Sequence, residues 1–127
     1  MIVVDASAAL AALLRAGDAR DAIADEQAHV PHLIDSEIAS ALRRRVAAGQ
    51  VPPDAGWTAL RVWQRLGVTR YPAFSLLHRI WELRENVSAY DATYVALAEF
   101  LGCSLLTADG RLARAPGVRC VTTVVPN

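Results

Sequence analysis

The sequence predicts an α/β fold, with a central parallel sheet of four to five strands covered on both sides by helices. Ile2, Val3 and Val4 are β-branched and unbroken by polar residues, as in a strand buried on both faces of a parallel sheet. Further on, short apolar segments alternate with helical stretches. At 127 residues and 54% hydrophobic, the chain fits one domain, residues 1–127, that buries roughly two thirds of its unfolded surface.

The elements follow in order. After the strand at Ile2 to Val4, Ser7 to Arg15 has the composition of a short Ala/Leu helix stopped by Gly17. Asp18 to Glu26 forms a second helix. A short strand, Ala28 to Val30, ends at Pro31, and a longer helix from Leu33 to Ala48 closes at Gly49. Pro52, Pro53 and Asp54 mark a turn and the start of a helix reaching about Leu66. Gly67 breaks it, and Val68 to Tyr71 reads as a strand. Helical spacing resumes over Ser75 to Glu85 through Leu76, Leu77, Ile80, Trp81 and Leu83. Ser88 caps a helix over Ala89 to Leu101, which Gly102 stops. Cys103 to Leu106 is a buried strand, Thr107 to Arg114 a loop with a short turn, and Val118 to Val121 the last strand. Trp57, Leu60, Trp63 and Leu66 fall on the helix from about Pro53 and Trp81 on the next, and core packing is expected to claim most of them.

Composition excludes several kinds of chemistry. Thirteen basic and thirteen acidic residues balance, so no global positive field points to nucleic acid, and any phosphate contact must be local. Every basic residue is Arg. Without Lys there is no P-loop and no lysine-based covalent mechanism. Cys103 and Cys120 have neither zinc-knuckle nor redox spacing and read as buried reduced thiols. His29, His32 and His78 form no ligand pattern and read as surface or boundary residues. The apolar runs are too short for a membrane span, and no basic segment precedes an apolar core, so a cytoplasmic protein with no membrane partner is expected.

Four carboxylates stand where carboxylates are usually avoided. Asp5 and Asp109 follow apolar strands directly, and open α/β sheets bind ligands outside the carboxyl ends of their strands. In the helix from Leu33, Glu37 falls on the apolar stripe of Leu33, Ile38, Ala41, Leu42 and Val46, while Asp35 points away as an ordinary solvated acid. Asp91 lies in line with Val95 and Ala98 in the first turn of its helix. Taken singly, each acid has an ordinary explanation in a cap, a turn or the helix dipole. Taken together, they can reach one sheet edge. Two unit charges about 4 Å apart repel by roughly 4 kcal/mol at an effective dielectric near 20, so such a pocket needs a cation or bound protons. Oxygen donors alone call for a hard ion, Mg²⁺ or Mn²⁺, and the chemistry that suits it is phosphodiester hydrolysis.

The motifs VVDASA, PHLIDSE, YDATYVALAE and LLTADGRLARA carry these four acids in order. Over the whole chain the sequence resembles PIN-domain ribonucleases, and more closely the VapC toxins of bacterial VapBC toxin–antitoxin pairs. The stretch from Gly49 to Asn86 contributes little to the match. The resemblance implies a PIN-like α/β/α sandwich and a Mg²⁺- or Mn²⁺-dependent endoribonuclease. By motif position, Asp5, Glu37, Asp91 and Asp109 carry over as catalytic and metal-binding residues, with Ser7 and Thr107 as hydroxyl groups supporting them. Asp5 and Asp91 would hold the principal metal, and an activated water would attack the scissile phosphate in line. No nucleophile with a paired base is present, so a covalent intermediate is not expected.

The resemblance further implies RNA as substrate, a cognate VapB-like antitoxin lying along a groove near the helix from Pro53, and a homodimer. Arg43, Arg44 and Arg45 follow Glu37 by about two turns and are within reach of RNA phosphates, although a solvated helix face is the commoner explanation of such a run. Arg111 and Arg114, just past Asp109, are better placed. The alternatives are a PIN-fold nuclease outside a toxin–antitoxin pair and a non-catalytic PIN-like RNA-binding scaffold, the latter disfavoured because all four acids are present. A receiver domain would need Lys. A haloacid-dehalogenase-like phosphatase would need a second Asp at the position of Ser7. A structure-specific DNA nuclease would need more chain than this.

Overall fold

A computed structural model describes residues 1–127. Five strands make one sheet, parallel throughout, in the order β3-β2-β1-β4-β5. They are β1 (Ile2–Val4), β2 (Ala28–Pro31), β3 (Thr69–Tyr71), β4 (Ser104–Thr107) and β5 (Thr122–Val124). The central strand β1 is buried along its length, as an unbroken β-branched run requires. Its helical neighbours α1 (Ala6–Leu14), α3 (Leu33–Ala47) and α4 (Pro53–Arg65) pack on one another, with α2 (Asp18–Ala24) against α1. On the sheet, α6 (Ala89–Leu101) covers β1, β2 and β4, and α5 (Leu77–Glu82) packs on α6. A helix of a single turn, α7 (Gly110–Ala113), follows β4.

This strand order fixes where a ligand belongs. From β1 the chain moves outward to β2 and β3, then returns to the other side of β1 for β4 and β5. The order reverses between β1 and β4, and α/β sheets place their binding crevice at such a switch point, beyond the carboxyl ends of the strands. Val4 pairs with Leu106, and the Asp5 N–H continues the ladder by donating to the Leu106 carbonyl at 3.0 Å. Asp5 and the residues after Leu106 therefore meet at the reversal.

The local reasons for the helices are ordinary ones. Asp5 caps α1 by accepting from the Ala8 N–H, Pro53 opens α4, and Ser88 caps α6 by accepting from the Asp91 N–H. Gly102 ends α6 in the left-handed conformation, φ 67°, which glycine adopts without strain. The core draws Ile34, Ile38 and Leu42 from α3 and every residue from Ala92 to Ala98 from α6.

Several sequence expectations are corrected. The last strand is Thr122–Val124 rather than Val118 to Val121. The Arg119 N–H is occupied by the Glu99 carboxylate at 2.9 Å, and Arg79 donates to the Gly117 carbonyl at 2.6 Å, which holds this stretch in a loop. The helix expected over Ser75 to Glu85 divides into a 3-10 turn, Phe74–Leu76, and the shorter α5. Leu76, Ile80 and Leu83 are buried there, but Leu77 and Trp81 are exposed, as is Trp57 in α4. Asp35 is not merely solvated: it takes both nitrogens of the Arg70 fork, at 2.8 and 2.9 Å, and the Trp63 indole N–H at 2.7 Å. His29 is buried, with Nδ1 against the Tyr71 hydroxyl at 2.6 Å and Nε2 without a partner. Both cysteines are free and half-buried.

Candidate metal centre

Asp5 accepts more hydrogen bonds than any other of the four acids. Its Oδ1 accepts from Ser7 Oγ at 2.6 Å and from the Ala8 N–H at 2.9 Å, and its Oδ2 accepts from Thr107 Oγ1. Both hydroxyls are themselves held from behind, since the Ala108 N–H donates to Ser7 Oγ at 2.9 Å and the Asp109 N–H to Thr107 Oγ1 at 3.0 Å. Each hydroxyl has one proton and spends it on Asp5. A carboxylate has about four acceptor positions, so three are committed and one is left for an external group. Ser7 and Thr107 thus support Asp5, from the helix after β1 and from the end of β4.

Glu37 comes from the second turn of α3 and is half-buried. Its Oε1 accepts from the Tyr94 hydroxyl of α6, so this acid is tied to the opposite layer of the sandwich. Sequence reasoning assigned Tyr94 to the inner face of its helix and missed that its hydroxyl reaches the site. The ring is indeed buried, and a buried Tyr needs a partner for its O–H, which was the available signal. Asp91 lies in the first turn of α6, half-buried. Asp109 caps α7 by accepting from the Arg111 N–H at 2.9 Å and pairs with Arg111 Nε at 3.4 Å.

The charges act on one another. Burial pushes the Asp5 carboxyl above its ordinary value, its three hydrogen bonds pull it back, and the charge of Asp109 adds to the rise. Glu37 is raised by burial, against the Tyr94 hydrogen bond, and further by Asp91 and Asp5. Asp91 is raised by burial and then by Asp5 and Asp109. The Tyr94 hydroxyl is driven well above its usual range by burial and by its bond to Glu37, so it stays protonated as a donor. All four acids therefore belong to one electrostatic neighbourhood. No three His, Cys, Asp or Glu side chains are gathered closely enough to hold an ion between them as they stand, and uncompensated like charges resist closer approach. Oxygen donors in a negative field suit a hard divalent cation, and nothing in the neighbourhood offers the N or S ligands that would favour zinc.

The arginines divide. Arg44 and Arg45 line a cleft that also contains Ser7 and Glu37, whereas Arg43 points elsewhere into solvent. Arg111 is 88% exposed and spent on Asp109, and Arg114 is exposed beside Gly110.

Comparison with known proteins adds the family. Residues 2–118 match the PIN domain model. Ribonuclease VapC9 of Mycobacterium tuberculosis is 60% identical over 126 residues, covering 99% of both chains. Among solved structures, PAE2754 from Pyrobaculum aerophilum superposes with a TM-score of 0.69 at 27% identity, covering 95% of this chain and 82% of that one. VapBC2 from Rickettsia felis, solved with a DNA fragment from its promoter, has the same TM-score at 14% identity, covering 98% and 99%. A five-stranded parallel sheet with this switch point, a match over nearly the whole chain and relatives of this identity lead to one assignment: the chain belongs to the PIN-domain family, within its VapC branch.

Proposed function

We propose that this protein is a Mg²⁺- or Mn²⁺-dependent endoribonuclease that hydrolyses RNA phosphodiester bonds as the toxin of a toxin–antitoxin pair. The observation that carries the reading is the set of four acids sharing one field at the switch point, three of them with carboxyls raised by burial and by their neighbours. Asp5 and Asp91 are the principal ligands, with Glu37 and Asp109 completing the set. A bound divalent ion would orient a water, lower its pKa and neutralise charge developing on the phosphoryl oxygens. Ser7 and Thr107 hold Asp5 in one rotamer, and Tyr94 holds Glu37, so that little reorganisation is left for the reaction.

The partners follow from the same family assignment. An apolar cleft of about 520 Å³ between α1, α2 and α4, lined by Ala9, Leu13, Ile23, Val62 and Leu66 among others, suits an amphipathic helix of a VapB-like antitoxin. Phe74, Leu77 and Trp81 stand exposed at helical spacing on the edge formed by α5 and suit pairing with a second copy.

The test is cleavage of RNA by the purified protein with Mn²⁺, beside Asp5→Asn. Asparagine keeps the cap of α1 and removes the charge. Cleavage by the wild type and loss in the variant support the proposal; equal cleavage by both, or none by the wild type, refutes it.

A further inference from the structure

One large cleft begins beside Ser7 and Glu37, at the margin of the acid cluster. Its volume is about 660 Å³, and it runs between α1 and α3 from Ser7 and Glu37, past Ser40, to Arg44, Arg45 and Gln50. Glu37, Ser40 and Arg44 are spaced three and four apart, so they share one face of α3. Arg44 Nη1 donates to Ser40 Oγ at 2.9 Å, which lays the guanidinium along the cleft wall. Neither Arg44 nor Arg45 forms an ion pair with any carboxylate, in contrast to Arg70, Arg79 and Arg111. The cleft therefore holds the Glu37 carboxylate at one end and the guanidiniums of Arg44 and Arg45, unpaired with any side-chain carboxylate, at the other, with the C-terminal residue Asn127 also on its wall, in a chain with no net charge.

We infer that this cleft is the track of the RNA strand on one flank of the cleaved bond, with Arg44 and Arg45 binding backbone phosphates away from the reacting one. The inference rests on the ribonuclease reading and deepens it. Seven to eight residues of α3 separate Glu37 from the arginines, about 10–12 Å along the axis. Stacked nucleotides advance by roughly 3.4 Å each along one strand, so the arginines meet phosphates about three nucleotides from Glu37. An extended polyanion can be held at the positive end while its reacting phosphate lies at the acidic end. The side chains of Ser40 and Gln50 add hydrogen-bonding groups without reading a base, so this subsite strengthens binding on a flank and leaves sequence selection to other contacts. Arg43 is one helical step, about 100°, from Arg44 and does not line the cleft, so it provides a comparison of equal charge on the same helix.

The experiment measures binding of a short fluorescein-labelled oligouridylate by anisotropy over a range of salt, in an Asp5→Asn background so that the probe survives. Each phosphate contact contributes about 0.7 to the slope of log affinity against log salt for single strands. The double substitution Arg44→Ala, Arg45→Ala is expected to make the slope shallower by about 1.4, with Arg43→Ala changing it by much less. Arg44 is exposed, Arg45 is half-buried without an ion pair, and alanine favours helix, so the fold is retained, which circular dichroism checks. Probes shortened from the 5′ or the 3′ end are then compared. On one side only, shortening should remove the difference between the double variant and its parent. An unchanged slope in the double variant, a loss no greater than that of Arg43→Ala, or equal sensitivity to shortening from both ends overturns the inference. If instead the double variant binds RNA normally and loses affinity for the antitoxin, the cleft belongs to the protein partner and the inference also fails. Cleavage by the wild type with Mn²⁺ is scored separately, so the ribonuclease reading can survive while the strand track falls.

Discussion

Thr107→Val probes the support of Asp5 without changing its charge or its cap. Thr107 is fully buried at the end of β4, and valine keeps its β-branched shape there. The substitution deletes three hydrogen bonds: the one donated to Asp5 Oδ2, the one accepted from the Asp109 N–H, and the longer one shared with Ser7 Oγ at 3.3 Å. An unsatisfied buried polar group costs about 1–3 kcal/mol, and more when it is charged. With one charged acceptor and one partly buried N–H affected, a loss of about 2–3 kcal/mol is expected, a large share of the 5–15 kcal/mol typical of a domain. At about 3–5 °C per kcal/mol for a chain of this size, the melting temperature falls by about 10 °C. The loss has a pH signature. Burial already raises the Asp5 carboxyl, and removing a hydrogen bond to its ionised form raises it further. The added penalty therefore falls on the charged state. It is present in full above the variant's raised pKa, fades as pH falls from there towards the wild type's own raised value, and is gone at the unfolded value, 3.8. Urea melts of both proteins at neutral pH and near that value measure it. A deficit that is the same at both pH values, or smaller than about 0.5 kcal/mol, would refute the reasoning.

Other outcomes follow from the same contacts. Tyr94→Phe preserves the buried ring and removes the donor to Glu37; cleavage with Mn²⁺ should drop by at least tenfold while stability falls by about 1–2 kcal/mol, and unchanged turnover would show that Glu37 needs no such restraint. Glu99→Gln breaks the pairing with Arg79, whose Nε lies 2.7 Å from Oε1, and weakens the hold on the loop before β5. Burial opposes ionisation of Glu99, but Arg79 and the Arg119 N–H outweigh it and hold the carboxyl below its usual value. Its contribution is therefore present above 4.5 and lost as pH falls through the lowered folded value. Wild type and variant should differ by about 1–3 kcal/mol at neutral pH and converge in acid, and hydrogen exchange should speed up in β5 first.

Much of this site was legible because its signals are local. An apolar run ending in Asp5 and another ending just before Asp109 announce strand ends, and the periodicity of α3 and α6 puts Glu37 and Asp91 on inward faces. The parallel sheet followed from the same alternation. What failed depends on contacts between distant segments. The β5 edge was misplaced by four residues because Glu99 and Arg79 hold residues 117 to 119 in a loop, and an edge strand of Thr122 and Thr123 has no apolar pattern to reveal it. Trp57 and Trp81 fit core spacing yet face outward, since amphipathic spacing does not say whether a second molecule or the chain's own core takes the face. The Tyr94 bond to Glu37 spans 57 positions. Arg43, Arg44 and Arg45 are alike in sequence, and only the packing of α1 against α3 separates the two that line the cleft from the one that does not.

The central claim, that Asp5, Glu37, Asp91 and Asp109 hold one divalent site, is tested most directly by calorimetric titration of Mn²⁺ into the wild type and into Asp5→Asn, Glu37→Gln, Asp91→Asn and Asp109→Asn. The wild type is predicted to bind, with each substitution weakening the affinity and those at Asp5 and Asp91 weakening it most. Affinity that is unchanged in both Asp5→Asn and Asp91→Asn, or binding that persists with all four acids neutralised, would contradict it.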